Sequence, residues 1–169
     1  KPLIVDYVDQ NGSPMVEGED YTVQYLRDGV ETTDFISAGN ITVQATGIND
    51  YQGTQTNYLA IGKRSMTDTQ FVGFQETFLY NGYPQKPDVT LELPNGYHLE
   101  EGRDYTLSYE PIDSEAEDLT SAGRIRVTAT AVPGGNFTGE TSAIYEIISN
   151  DISDGIKISY SAFSYYDGQ

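Results

Sequence analysis

GEDYTVQY, residues 18–25, returns as GRDYTLSY at residues 102–109, so a near-copy of one octapeptide recurs 84 positions along the chain. The likeness extends backwards at the same offset, because residues 11–25 and 95–109 are identical at 8 of 15 positions. A match of this length at one offset indicates a tandem repeat. The repeat period decides how the chain is divided, so the fold prediction starts from it.

Two further landmarks follow in the same order in both copies. SAGNITVQAT at 37–46 matches SAGRIRVTAT at 121–130 at 7 of 10 positions, and DYQGT at 50–54 matches NFTGE at 136–140. The second pair is 86 residues apart, so the second copy has gained two residues in the Gly-rich stretch 133–135. Insertions are tolerated in such turns.

Apolar and polar residues alternate within each copy with the period of two that is typical of β-strands. Tyr21, Val23 and Tyr25 share one face, and Tyr105, Leu107 and Tyr109 repeat the arrangement, so we predict strands whose tyrosine face is buried. The predicted strands are 3–8, 21–25, 41–45 and 56–61 in the first copy and 105–109, 125–129 and 142–148 in the second, with acidic loops at 26–36 and 110–120.

Composition excludes several classes of function. The chain has 9 Lys+Arg against 26 Asp+Glu, a formal net charge of -17, which opposes binding to phosphate backbones and anionic membrane surfaces. There is no cysteine, so neither a disulfide framework nor a thiolate nucleophile can form. No apolar run approaches the length that crosses a bilayer. We therefore predict no nucleic-acid partner and no membrane insertion.

The period predicts two tandem domains with a fragment of a third. Residues 1–69 form the first repeat, which lacks its opening strand, residues 70–155 form the second, and 156–169 are the opening strand of a truncated third repeat. The joints at 62–69 and 149–155 are too short to be flexible tethers. We therefore expect neighbouring repeats of the same chain to contact each other.

The order of these motifs resembles the tandem MBG or YDG repeats of large bacterial cell-surface proteins, mostly Gram-positive. The resemblance is carried by YNGYPQKP at 80–87, then GRDYTLSY, SAGRIRVTAT and NFTGE, with YYDG at 165–168 opening the next unit. It implies a secreted, cell-wall-attached adhesin or surface protein built from Ig-like all-β domains. The long acidic loops after Tyr25 and Tyr109 depart from the common form of the repeat.

The fold prediction is two tandem Ig-like β-sandwich domains, in agreement with short alternating strands separated by turn signals. A β-grasp repeat is the alternative, which a helix crossing a sheet would favour. The predicted function is a non-enzymatic, extracellular stalk repeat of a bacterial cell-surface adhesin-like protein. The alternative is an adhesive module that binds host glycan or matrix protein through the variable loops.

The acidic loop of the second copy supplies hard oxygen atoms of the kind that bind Ca²⁺. It lacks the spaced Asp-x-Asp-x-Gly order of a dedicated calcium loop, so a solvated loop is the favoured interpretation. The weak candidate ligands are Asp113, Glu115, Glu117 and Asp118. We predict no other cofactor.

The remaining candidate residues have simpler structural interpretations. Asp20 and Asp104 precede the strand tyrosines and are predicted to hydrogen-bond the local backbone. The sole histidine, His98, lies beside an Asn-Gly turn, and the residue order of Ser-His-acid or Cys-His catalysis is missing, so we predict no enzyme activity. An aromatic ligand surface would be sought among the tyrosines outside the repeated strands: Tyr58, Tyr83, Tyr97, Tyr160, Tyr165 and Tyr166.

Overall fold

The computed structural model describes residues 7–113 and 118–150. These residues form β-strands arranged in several small sheets, which confirms the predicted all-β class. Their helical content is a single 3₁₀ turn, and the described ranges contain no α-helix, the feature that would have favoured a β-grasp repeat. Among the same residues, no helix has the length and apolar character that crossing a bilayer requires.

The first copy forms one antiparallel sheet of four strands: β1 Tyr21–Arg27, β2 Val30–Glu31, β3 Gly39–Gly47 and β4 Thr54–Ile61. The strand order in the sheet is β2-β1-β3-β4. β1 and β3 pair from Tyr21↔Gly47 to Leu26↔Thr42. Alternate residues of β3 are buried, so the sheet has one core face.

The middle of the chain contains four short strands: β5 Arg64–Ser65, β6 Gln70–Val72, β7 Thr77–Leu79 and β8 Thr90–Glu92. The 3₁₀ turn Met66–Asp68 follows β5. β6 and β8 pair antiparallel.

The second copy contributes β9 Tyr105–Pro111, β10 Gly123–Ala131, β11 Phe137–Thr138 and β12 Glu140–Ile148. Three of these strands join β7 in a sheet of order β7-β12-β10-β9. β12 and β7 run parallel, from Glu146↔Thr77 to Ile148↔Leu79, whereas β11 pairs parallel with β5.

Buried side chains form a core in each of two compact units of the chain. The first unit contains residues 7–73, 89–108 and 128–142, and the second contains the other described residues. Buried residues of the first are Tyr21, Ile41, Val43, Ala45, Met66, Val89, Leu91, Leu93, Leu99, Tyr105, Ala129 and Phe137. In the second, Phe74, Phe78, Tyr109 and Leu119 pack against Ile125, Tyr145 and Ile147. The predicted domain boundaries remain a prediction.

The turn before each tyrosine strand is built in the same way in both copies. The Gly18 N–H donates to the Tyr21 carbonyl at 2.7 Å, and the Gly102 N–H donates to the Tyr105 carbonyl at 2.8 Å. Both glycines have positive φ, 89° and 85°, which side chains disfavour. The local structure therefore repeats along with the sequence.

The tyrosine face of these strands is the buried one, as the alternation predicts. Tyr21 and Tyr105 are buried, and Tyr25 and Tyr109 are partly buried. In β1, Thr22 lies between Tyr21 and Tyr25 on the opposite face and is exposed. The Tyr105 hydroxyl donates to the Val89 carbonyl at 3.0 Å. A buried hydroxyl with such an acceptor avoids the cost of an unmet hydrogen bond.

One predicted loop contains a hairpin. β1 continues to Arg27, which pairs with Val30 of β2, so Asp28 and Gly29 alone connect the two strands. Both connecting residues have positive φ, 50° and 81°, and Asp-Gly is a preferred sequence for such two-residue turns. The prediction of a loop from 26 was therefore wrong at its start. In the second copy, β9 extends to Pro111, past the predicted start of its loop.

Two strand predictions fall partly or wholly outside the described residues. Residues 3–6 and 156–169 are not described, so the opening strand of the chain and that of a third repeat stay predictions. At the described end of the first, Val8 forms a single antiparallel bridge with Pro14.

Candidate functional site

The two described candidates for a calcium site contact groups of the protein itself. The Asp113 carboxylate accepts hydrogen bonds from the Arg124 backbone N–H at 2.8 Å and from its guanidinium Nη2 at 2.7 Å. The Asp118 carboxylate accepts from the backbone N–H groups of Thr120 and Ser121 at 2.8 and 2.7 Å. These contacts lower the pKa of both carboxyls.

The other two candidates, Glu115 and Glu117, lie outside the described residues. Within the ranges that are described, no three His, Asp or Glu side chains converge in a way that could hold a metal ion. The interpretation of 110–120 as a solvated loop, with these residues as weak calcium candidates, stays a prediction.

Asp34 repeats the contacts of Asp118 in the first copy. Its carboxylate accepts from the backbone N–H groups of Ile36 and Ser37, both at 3.0 Å. The side-chain and backbone hydrogen bonds from Ser37 lower the pKa of Asp34 to about 2. Sequence reasoning missed this pair, although DFISAG at 34–39 and DLTSAG at 118–123 carry the signal at the repeat offset.

We expect Asp34 to make stability depend on pH in the acid range. Its pKa is lowered in the folded state, so its contribution is full above the unfolded pKa of about 4 and is lost as pH falls to about 2. The Asp34→Asn variant should therefore lose less of its melting temperature over that range than wild type. Melting curves recorded at several pH values test this.

Asp28→Asn is the matched control, because it removes one exposed aspartate from the turn that directly follows β1. Comparison with this variant subtracts the effect of removing one exposed negative charge. Equal slopes for Asp34→Asn and wild type would contradict the assignment.

Asp20 and Asp104 hydrogen-bond the local backbone, as predicted. Their Oδ2 atoms accept from the backbone N–H groups of Val16 at 2.7 Å and of Glu100 at 2.9 Å. Asp104 is only 4% exposed and also accepts two hydrogen bonds from Arg103, at 3.2 and 2.7 Å. Burial would raise the pKa of Asp104, but the bonds from Arg103 and the Glu100 N–H lower it below its usual value.

The tyrosines proposed for a ligand surface differ in exposure. Tyr58 and Tyr83 are 74% and 73% exposed, and Tyr97 is 46% exposed with its hydroxyl accepting a hydrogen bond from Arg103 at 2.8 Å. His98 is exposed, with its Nδ1 atom 3.6 Å from Glu92 Oε2. The other three, Tyr160, Tyr165 and Tyr166, lie outside the described residues.

The connection between the two copies, residues 62–72, contains the joint at 62–69. Its backbone is hydrogen-bonded to the second copy. In the parallel β5–β11 pair, Arg64 lies opposite Phe137, and the Arg64 N–H donates to the Asn136 carbonyl at 2.9 Å. The Asn136 side chain accepts from the Ala38 N–H at 2.8 Å, so this one residue contacts both the connection and the first copy. Side-chain and backbone atoms of Asn136 therefore bridge the two copies.

The connection then forms the 3₁₀ turn. The Ser65 hydroxyl caps it by accepting from the Thr67 N–H at 3.2 Å, and the Thr69 N–H and hydroxyl both donate to the Met66 carbonyl. Met66 has no exposed surface. A capped turn around a fully buried side chain is an ordered joint, not a tether.

The first copy contains an open cavity of about 490 Å³. The wall includes buried Tyr21 and Ala45 together with partly buried Tyr7, Met15 and Tyr51. A cavity of this size and mixed lining can accept a short apolar segment.

A scan of family models, a search of curated proteins and a search of solved structures each found no match to this chain.

Proposed function

We propose that this chain is a non-enzymatic, extracellular stalk segment of a bacterial cell-surface adhesin-like protein, attached at the cell wall and built from Ig-like β-sandwich repeats. In such an array each unit contacts its neighbours, and stiffness depends on the joints. The proposal joins the resemblance of the repeat motifs to the all-β fold and to the order of the joint.

The observation that carries the proposal is the joint at residues 62–69. Strand pairing of β5 with β11, the bond from the Arg64 N–H to the Asn136 carbonyl and complete burial of Met66 hold residues 64–66 of this segment. The pairing of β6 with β8 holds the residues that follow it. A flexible linker would instead expose its backbone and side chains to water. An ordered joint of this kind suits a stalk, whose role is to keep the parts at its two ends a fixed distance apart.

The acidic loops favour the stalk over a binding module. A loop that bound glycan would be expected to present an exposed aromatic ring. In the loop 26–36 the sole aromatic is Phe35, which packs edge-on against Tyr25 with ring centroids 5.0 Å apart, and the loop 110–120 has no aromatic residue. The carboxylates of Asp34 and Asp118 accept hydrogen bonds from backbone N–H groups of their own loops, at Ile36 and Thr120. The Asp113 carboxylate accepts from Arg124.

Backbone ¹⁵N relaxation tests the stalk. Residues 63–68 should show order parameters near the rigid value of about 0.85, equal to those of the flanking strands. Values below about 0.6 would mean a flexible tether and would contradict the proposal. A variant with residues 64–68 replaced by Gly and Ser supplies the matched flexible reference.

The adhesive module is the second candidate, favoured by the large exposed rings of Tyr58 and Tyr83. An exposed tyrosine offers an apolar face and a polar tip to a sugar. A glycan and matrix-protein screen, run with calcium and with chelator, separates the candidates. Binding that Tyr58→Ala or Tyr83→Ala abolishes would favour the module, whereas no binding by the folded chain agrees with the stalk.

A further inference from the structure

The cavity of the first copy has a filled counterpart in the second. At the repeat offsets, Tyr7, Met15 and Tyr51 of the cavity wall correspond to Leu91, Leu99 and Phe137. The first three are partly exposed, whereas the corresponding three are buried. The same wall is therefore covered in the second copy.

The connection between the copies supplies this cover. β5 pairs with β11, which contains Phe137, and the next residue, Met66, is completely buried. β6 then pairs with β8, which contains Leu91. Residues 64–72 thus lie along two of the three wall positions.

Among the described residues, the corresponding backbone of the first copy is not in a strand. Tyr51 and Gln52 align with β11 but lie outside any strand, and Gln52 is exposed. Val8 aligns with the end of β8 and is 58% exposed. In the described part of the chain, the surface that would receive a connection is therefore exposed at Val8 and Gln52.

The chain carries a second connection of the same sequence type. At the offset of 86, residues 65–68, Ser-Met-Thr-Asp, align with residues 151–154, Asp-Ile-Ser-Asp. Both begin with a residue that favours an N-cap, place an apolar residue next and end in aspartate. Farther on, Gln-Phe-Val at 70–72 aligns with Ile-Lys-Ile at 156–158. Ile152 is therefore the counterpart of Met66.

We propose that two copies of this chain associate head to tail, with residues 150–158 of one copy seated on the open cavity of the next and Ile152 filling the place that Met66 takes within the chain. The contact joins different surfaces of the two copies, so it repeats without closing. It rests on the proposed function, because it names the partner that extends the stalk. The short segment buries little area, so we expect a dissociation constant on the order of 100 µM.

Sedimentation velocity on the intact chain over a range of concentrations tests this. Wild type should form dimers and longer species, whereas Ile152→Asp, which removes the apolar side chain, and Tyr51→Asp, which alters the cavity, should each stay monomeric. Met15→Asp is a second cavity variant in a different segment. Ser153→Asp is the matched control, because it adds the same charge one residue away, where the aligned Thr67 is exposed, and it should associate like wild type.

An equimolar mixture of Ile152→Asp and Tyr51→Asp decides whether the contact is head to tail. The first variant keeps an intact cavity and the second keeps an intact connection, so the mixture should form dimers and nothing longer. A wild-type chain that is monomeric at about 1 mM would overturn the proposal, as would a mixture that does not associate. The joint at 62–69 is measured within a single chain, so the stalk and this contact can fail independently.

Discussion

Replacing Met66 by alanine is expected to lower the free energy of unfolding by about 3 kcal/mol. The side chain has no exposed surface, and its loss removes apolar burial and leaves a cavity beside the β5–β11 pair. Because Met66 lies in the joint, the variant should also become mobile at residues 64–68. Urea denaturation gives the first quantity, and ¹⁵N relaxation of the same variant gives the second.

The chain offers a close control for this substitution. It contains two methionines, and Met15, at the cavity wall of the first copy, is only partly buried. Met15→Ala should cost about 1 kcal/mol when measured at a concentration at which the chain is monomeric. Equal losses of unfolding free energy for the two variants would mean that the burial of Met66 does not stabilise the joint.

Replacing Asp104 by alanine is expected to cost about 2 to 3 kcal/mol. The substitution removes the buried carboxylate that accepts from the Glu100 N–H, and it removes the acceptor of Arg103. The Arg103 side chain is more than half exposed, so water compensates part of that ion pair. Chemical denaturation of the variant measures the total.

Asp20 makes the same backbone contact in the first copy and separates the two contributions. It is partly exposed and is preceded by Glu19 where the second copy has Arg103. Asp20→Ala should therefore cost only about 1 kcal/mol. Asp104→Asn keeps an oxygen acceptor for the Glu100 N–H and should lose less than Asp104→Ala. If Asp20→Ala lowered the free energy of unfolding as much as Asp104→Ala does, burial of Asp104 and its contact with Arg103 would add nothing to stability.

Strand positions in this protein are predictable from sequence because the alternation is strong and appears twice. Tyr21 and Tyr105 have the same neighbours and the same burial, so each copy supports the interpretation of the other. The turn aspartates are predictable for the same reason. A residue that recurs beside a glycine at a fixed distance from a strand is best explained by local hydrogen bonds.

The strand partners were beyond sequence reasoning. β5 pairs with β11, and β7 pairs with β12, across separations of about 70 residues, and both pairs are parallel. Alternation indicates which face of a strand is buried but not which strand lies beside it. The Asp28-Gly29 hairpin, in contrast, carried a readable local signal that the acidic composition of its loop obscured.

The joint, too, has one feature that the sequence predicts and another that only the fold reveals. A short connection predicts contact between neighbouring repeats, which stays a prediction, while the structure shows that Asn136 accepts from the Ala38 N–H. The burial of Met66 required the fold, because the residue lies in a polar segment without periodicity. The open cavity likewise became visible only when corresponding walls of the two copies were compared.

The parallel pairing of β7 with β12 has a mechanical consequence. Tension that enters through the start of β7 and leaves through the end of β12 pulls two parallel strands lengthwise in opposite directions. The three residue pairs from Thr77↔Glu146 to Leu79↔Ile148, with the added bond from the Tyr80 N–H to the Ile148 carbonyl, are then sheared together instead of being peeled apart one by one. Forced rupture is governed by the unfolding rate, so this geometry slows extension under load.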